Sequence, residues 1–185
     1  MFNKKYPDNQ VSLIDMLSAR YGDDAVTNAL ITASKVEQTE DIATKLQAQQ
    51  LLSWLDRGIS TDDVAKKLKI SEEGAQFVSS PKLSMLNLYM VLASETHPQA
   101  NLNYLAIVRN AFGGDRNFAT AVMNAVGSGS DTALYFQKKL YKDWFNRKII
   151  PSNTLKTIFG TYRREEKLFV AKYKKYYDAK MKTSE

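Results

Sequence analysis

Side chains able to do chemistry are few in this chain and poorly spaced for it. His97 is the single histidine, it sits beside Pro98, and there is no cysteine. One imidazole without a thiolate excludes a His/Cys metal cluster and leaves the serine hydroxyls without an evident base. Asp23-Asp24, Asp62-Asp63 and Glu72-Glu73 are adjacent carboxylates, a pairing that can divide acid and base work. Each pair falls at an expected helix start, where the positive end of the peptide dipole already accounts for it. Gly113-Gly114 lacks the Lys-Ser/Thr of a phosphate-binding loop, and Gly127 with Gly129 follows an expected helix, whereas that loop follows a strand. The residues predict no catalytic, cofactor-binding or metal-ligating set, no cofactor and no enzyme activity.

What the chain does offer is charge and aromatic surface. Its 185 residues carry a net charge of +6. Residues 1–100 hold 10 Lys+Arg against 13 Asp+Glu, and residues 101–185 hold 16 against 7. Lys172, Lys174 and Lys175, continued by Lys180 and Lys182, form a candidate basic interaction patch suited to an acidic protein, a nucleic acid or an anionic membrane surface. The plainer reading is a solvated helix face that keeps the protein soluble. Ile59 to Gly74 reads like a helix-turn-helix. Its second element, however, opens with Glu72 and Glu73, the wrong sign for phosphates, and lies in the acidic half. Nucleic acid is therefore not the expected partner. No apolar run approaches the length needed to span a bilayer, and Met1-Phe2-Asn3-Lys4-Lys5 has no apolar run of a secretory signal behind it.

The elements that must position these groups read as helices almost throughout. Leu13, Met16, Leu17, Ala25, Ala29, Leu30 and Ala33 recur at three- and four-residue intervals about a turn at Gly22. Thr39 is the expected N-cap of a helix whose apolar side is Ile42, Leu46, Leu51, Trp54 and Leu55, ended at Gly58. Ser60 with Asp63 resembles a capping box, Ser71 opens a short helix, and Ser80-Pro81 opens the next. His97-Pro98 breaks the pattern. Helices then follow over about 102–112 and Phe118–Val126, from Ser130 or Asp131 to Trp144, from Pro151, and from about Arg163. No stretch alternates with period two, so the expected fold is all-α.

The second half repeats the first about 90 residues later. Tyr21-Gly22-Asp23-Asp24 answers to Phe112-Gly113-Gly114-Asp115. Leu46-Gln47, Trp54-Leu55-Asp56-Arg57 and Ile59 answer to Phe136-Gln137, Trp144-Phe145-Asn146-Arg147 and Ile149. A duplication that keeps bulky apolar positions while polar ones drift preserves packing, and points to architecture and surface recognition. The two tryptophans lie on apolar stripes and are expected in the core.

The string Leu51 to Leu68, followed by Phe77, Ser80-Pro81 and Tyr89, resembles the WY module of oomycete RXLR effectors. Trp144, Arg147, Pro151, Leu155, Ile158, Phe169 and Tyr173 resemble a looser second copy. Leu17-Tyr21-Gly22 and Ala111-Phe112-Gly113 are similar to the accompanying L motif. The resemblance implies two tandem, stacked helical-bundle units, elongated: a tail over 1–10, a first unit over 11–98, a second over 103–180 and a tail over 181–185. It pairs Trp54 with Tyr89 and Trp144 with Tyr173 as the structural core signature, with Tyr176 and Tyr177 as alternatives to Tyr173. The family's signal peptide and Arg-x-Leu-Arg motif are absent, as expected of a trimmed effector domain. It implies secretion by a pathogen and delivery into the plant host cell, to its cytoplasm, plasma membrane or nucleus. The implied partner is a host plant protein, with a phosphatase scaffold or a trafficking component as the classes that similar modules engage. An exposed apolar strip would allow a homodimer, and the lysines with Tyr173, Tyr176 and Tyr177 an anionic membrane surface.

Overall fold

The computed structural model describes residues 12–99 and 102–183. The expected N-terminal tail lies outside these, as do the last residues of the C-terminal one. Among the described residues every regular element is helical. In chain order they are α1 (Leu13–Tyr21), α2 (Asp23–Ala33), α3 (Glu40–Asp56), α4 (Thr61–Lys67), a 3-10 segment (Ile70–Ser79), α5 (Pro81–Thr96), α6 (Tyr104–Ala111), α7 (Asp115–Val126), α8 (Asp131–Asn146), α9 (Pro151–Thr154) running into a π turn (Leu155–Phe159), and α10 (Arg164–Lys182).

Local chemistry sets most of the boundaries. Ser12 Oγ accepts the Ile14 N–H, Ser60 Oγ accepts the Asp63 N–H at 3.1 Å, and Asn103 Oδ1 accepts the Ala106 N–H, each satisfying a donor that the first helical turn leaves unpaired. Thr39 behaves differently from expectation. Its hydroxyl turns back to donate to the Ala33 carbonyl at 2.7 Å and makes no side-chain cap on α3. The α3 stripe is also rotated from the one expected. Ala43, Gln50, Leu51 and Trp54 are buried, while Ile42 is 60% exposed. Gln50 is admitted to the interior because Thr27 Oγ1 donates to its Oε1 at 3.0 Å, so its polar atoms are not stranded.

The chain forms two compact units: residues up to Lys69 together with Ser84–Leu102, and Ile70–Leu83 together with Asn103 onward. In the first, Ile14, Val26 and Leu30 form a cluster joined by Leu17 and Leu46, and Leu51, Trp54, Val64, Leu68, Leu86 and Tyr89 are also buried. In the second, Phe77 of the 3-10 segment meets Phe112, Phe118 and Phe136 at ring separations of 5.0, 5.9 and 5.2 Å. That contact is why Ile70–Leu83 belongs with the second unit, although the sequence repeat would group it with the first. Trp144, Phe159, Phe169 and Tyr173 are also buried in this unit and meet one another.

Candidate functional site: duplicated aromatic pillars and a lysine ridge

Each unit is built around one tryptophan, one tyrosine and one carbonyl. In the first, the Trp54 indole has no exposed surface, and the Tyr89 ring meets it edge-on, 6.4 Å away at 75°. Such an arrangement sets the positive ring edge against the negative face. The Tyr89 hydroxyl donates to the Ile59 carbonyl. That carbonyl is presented by a tight turn in which the Ile59 N–H returns to the Trp54 carbonyl at 2.9 Å and Gly58 adopts φ 65°. The second unit repeats the device. Tyr173 meets Trp144 at 5.3 Å and 82°, its hydroxyl donates to the Ile149 carbonyl at 2.6 Å, and the Ile149 N–H returns to the Trp144 carbonyl at 2.9 Å. Tyr176 lies instead against Tyr141 and Phe145, and Tyr177 against Phe145 and Tyr173. Where the first unit has Gly58, the second has Lys148 at φ 56°, a conformation that costs an L-residue about 1–2 kcal/mol.

The units differ in how they handle the indole N–H. Trp54 Nε1 donates to Asp23 Oδ1 at 3.2 Å, while Lys67 Nζ holds Asp23 Oδ2 at 2.7 Å. Burial pushes the Asp23 carboxyl up, but the hydrogen bonds from Lys67, Trp54 and Ser18 outweigh it and hold the carboxyl below the ordinary range. Asp115 opens α7 behind a glycine cap as Asp23 opens α2, although the sequence repeat sets it opposite Asp24, and Arg147 claims it through two nitrogens at 2.9 and 2.8 Å. Arg147 and Arg109 also share Asp143, at 3.0 and 3.3 Å. The buried Trp144 Nε1 has no hydrogen-bond partner among the described residues. The second unit compensates with aromatic packing: Phe159 and Phe169 also ring Trp144, and the buried Tyr141 hydroxyl donates to the Phe169 carbonyl at 2.8 Å.

His97 is exposed, its Nδ1 3.0 Å from the Thr96 hydroxyl. Among the described residues no three His, Cys, Asp or Glu groups converge as a metal site would require, and no helix is long and apolar enough to cross a membrane. The helix-turn-helix look-alike resolves into α4 and a 3-10 segment broken at Gly74 (φ 53°), which buries Ile70, Phe77 and Val78.

The lysines are distributed unevenly. Lys174 pairs with Asp178 at 2.6 Å, whereas Lys172 and Lys175 are exposed and have no ion pair among the described residues. The structure adds Lys138, Lys139 and Lys142 of α8, also exposed and without an ion pair among the described residues; Lys139 Nζ lies 5.2 Å from the Tyr135 ring centre. Phe145 meets Tyr176 at 6.4 Å and Tyr177 at 5.3 Å across the α8–α10 seam. Lys142 lies one turn before Phe145 and Lys172 one turn before Tyr176, so each lysine shares a side of its helix with one ring of that seam. Leu134 and Leu168, 38% and 59% exposed, precede Lys138 and Lys172 by a further turn. The α8 lysines carry a sequence signal, in that 138, 139 and 142 occupy the side of the helix opposite Phe136, Leu140 and Trp144. It is visible only once α8 is paired with α10.

Fold and site define a helical repeat protein in which a Trp–Tyr–carbonyl unit is used twice. No family model matches the chain. It is 31% identical over 192 residues to an RxLR effector protein of Phytophthora infestans, covering 97% of this chain and 27% of that one. A second RxLR effector protein of the same organism is 32% identical, over 98% and 38%, and the RxLR effector protein PSR2 of P. infestans is 29% identical, over 95% and 23%. The crystal structure of PcRxLR12 superposes with a TM-score of 0.75 at 24% identity, covering 98% of this chain and 45% of that one, which shows the shared fold. The chain is a homologue of the RxLR effector proteins of Phytophthora. It spans about a quarter to two fifths of the length of the relatives it matches.

Proposed function

We propose that this chain is the interaction-bearing part of a secreted pathogen effector. It works inside the plant host cell, binds a host protein without catalysis, and thereby suppresses or redirects host immunity. The observation that carries this reading is the homology to RxLR effectors along both repeats, taken with where the repeats concentrate their large aromatics. The rings maintain the helical units, which leaves the exposed residues free for recognition. The α8–α10 ridge is the surface best equipped to recognise a partner. Unpaired lysines beside exposed leucine and tyrosine supply steering and contact area together. A phosphatase scaffold and a trafficking component are the host classes to examine first.

The test is recovery of a plant protein by this chain and by a variant carrying Lys138→Glu, Lys142→Glu, Lys172→Glu and Lys175→Glu. The reading predicts a defined partner that the variant loses while its helical signal and melting temperature stay unchanged. Recovery of chaperones alone would count against it. The same unpaired lysines favour a second reading, docking on an anionic membrane surface. It predicts flotation with phosphatidylserine vesicles, not with neutral ones, and reduced flotation of the charge-reversed variant.

A further inference from the structure

A second feature of the 70–83/103–183 unit lies apart from the lysine ridge and uses different residues. A cleft of about 500 Å³ is lined by Ser71 of the 3-10 segment, by Arg116, Asn117, Thr120 and Asn124 of α7, and by Arg163 at the N-cap of α10. No aspartate or glutamate is among its lining residues. Both arginines are exposed at the cleft. Arg116 lies over the Gly160 turn, where an added Cβ would stand 3.6 Å from its Nη1. Arg163 donates from Nε to Glu166 Oε1 at 2.8 Å, and that is the ion pair it makes. Its terminal nitrogens stay uncommitted, as does Arg116, which has no hydrogen bond or ion pair among the described residues. Asn117 is fixed by donating from Nδ2 to the Phe112 carbonyl at 3.0 Å.

Two arginines from different elements line one cleft together with the hydroxyl residues Ser71 and Thr120 and the amide of Asn124, a lining rich in donors. A fork of guanidinium N–H groups matches the oxygens of phosphate better than an ammonium does. Hydroxyl and amide donors are what a tetrahedral oxyanion needs to fill its remaining acceptor sites. We propose that this cleft is a phosphate-binding site, taking the phosphoryl group of a phosphorylated peptide or free phosphate. Binding would neutralise the two arginines and join the 3-10 segment, α7 and the start of α10 through one ligand.

The experiment follows the Arg116 and Arg163 side-chain N–H signals by NMR in the whole chain at constant ionic strength. Three probes are added separately: inorganic phosphate, a phosphoserine peptide, and the same peptide with glutamate at that position. Expected are saturable shifts of both arginine signals with a phosphate-bearing probe. Affinity should fall about tenfold or more in Arg116→Gln, at an unchanged melting temperature. Tighter binding of the phosphopeptide than of inorganic phosphate assigns the ligand to a phosphorylated partner, and equal binding assigns it to free phosphate. Shifts no larger than those from added chloride, an Arg116→Gln variant that binds as before, or an equal response to the glutamate peptide would each overturn the proposal. Its failure would leave the α8–α10 reading untouched, because no residue or readout is shared.

Discussion

At the scale of single residues, the repeated turn separates what a position must do from which side chain does it. Gly58 and Lys148 adopt the same left-handed conformation, and the lysine gains nothing from it that the structure shows. Lys148→Gly should raise stability by about 1 kcal/mol, read as a higher urea midpoint at unchanged slope. Tyr173→Phe keeps the ring against Trp144 and removes the hydroxyl that serves the Ile149 carbonyl, so it should cost about 1–2 kcal/mol in the same assay. Asp23 gives a pH test. Its folded-state carboxyl titrates below its unfolded value, so the stability it contributes is present above the ordinary carboxylate range and disappears as pH falls through the folded value. Asp23→Asn should therefore destabilise at neutral pH, and its deficit against the parent chain should shrink steadily on acidification below about pH 4. A deficit independent of pH would mean that the carboxylate charge is not what Lys67 and Trp54 engage.

At the scale of elements, legibility in the sequence followed the range of the interaction. Ser60 capping Asp63, Gly22 between α1 and α2, and Pro151 opening α9 depend on neighbours within four residues, and all were readable. The α3 face departs from the one its apolar residues predict because Ile42 is the more apolar residue while Gln50 has the better-placed partner. Thr27 lies 23 residues away and gives no local sign. The capture of Asp115 by Arg147, 32 residues on, was hidden for the same reason. So was the α8 half of the lysine ridge, whose meaning depends on α10. Phe77 shows how an element is held from outside itself. Its segment is a 3-10 stretch broken at Gly74 and depends on one ring wedged among Phe112, Phe118 and Phe136. Phe77→Ala should cost about 3–5 kcal/mol, and hydrogen exchange should show loss of protection over 70–79 and α7 first. Glu166 plays the corresponding part for α10. Buried yet charged, it accepts from Thr161 Oγ1, Arg163 N and Arg163 Nε, and these bonds outweigh the burial that would raise its carboxyl.

At the scale of the whole molecule, the all-helical class and the duplication were legible because both are written in periodicity and in the order of large side chains. The identity of a partner was not, because the proposed function places recognition on exposed residues that no repeat constrains. The interior keeps two units folded, and under the proposed function the exterior selects what they meet. The measurement that tests this division compares two variants of the same chain for binding to the plant protein recovered from extract. Reversing Lys138, Lys142, Lys172 and Lys175 to glutamate should abolish binding and leave the melting temperature where it was. Trp144→Phe should lower the melting temperature and leave binding intact below it. Binding that follows the tryptophan and ignores the lysines would contradict the account.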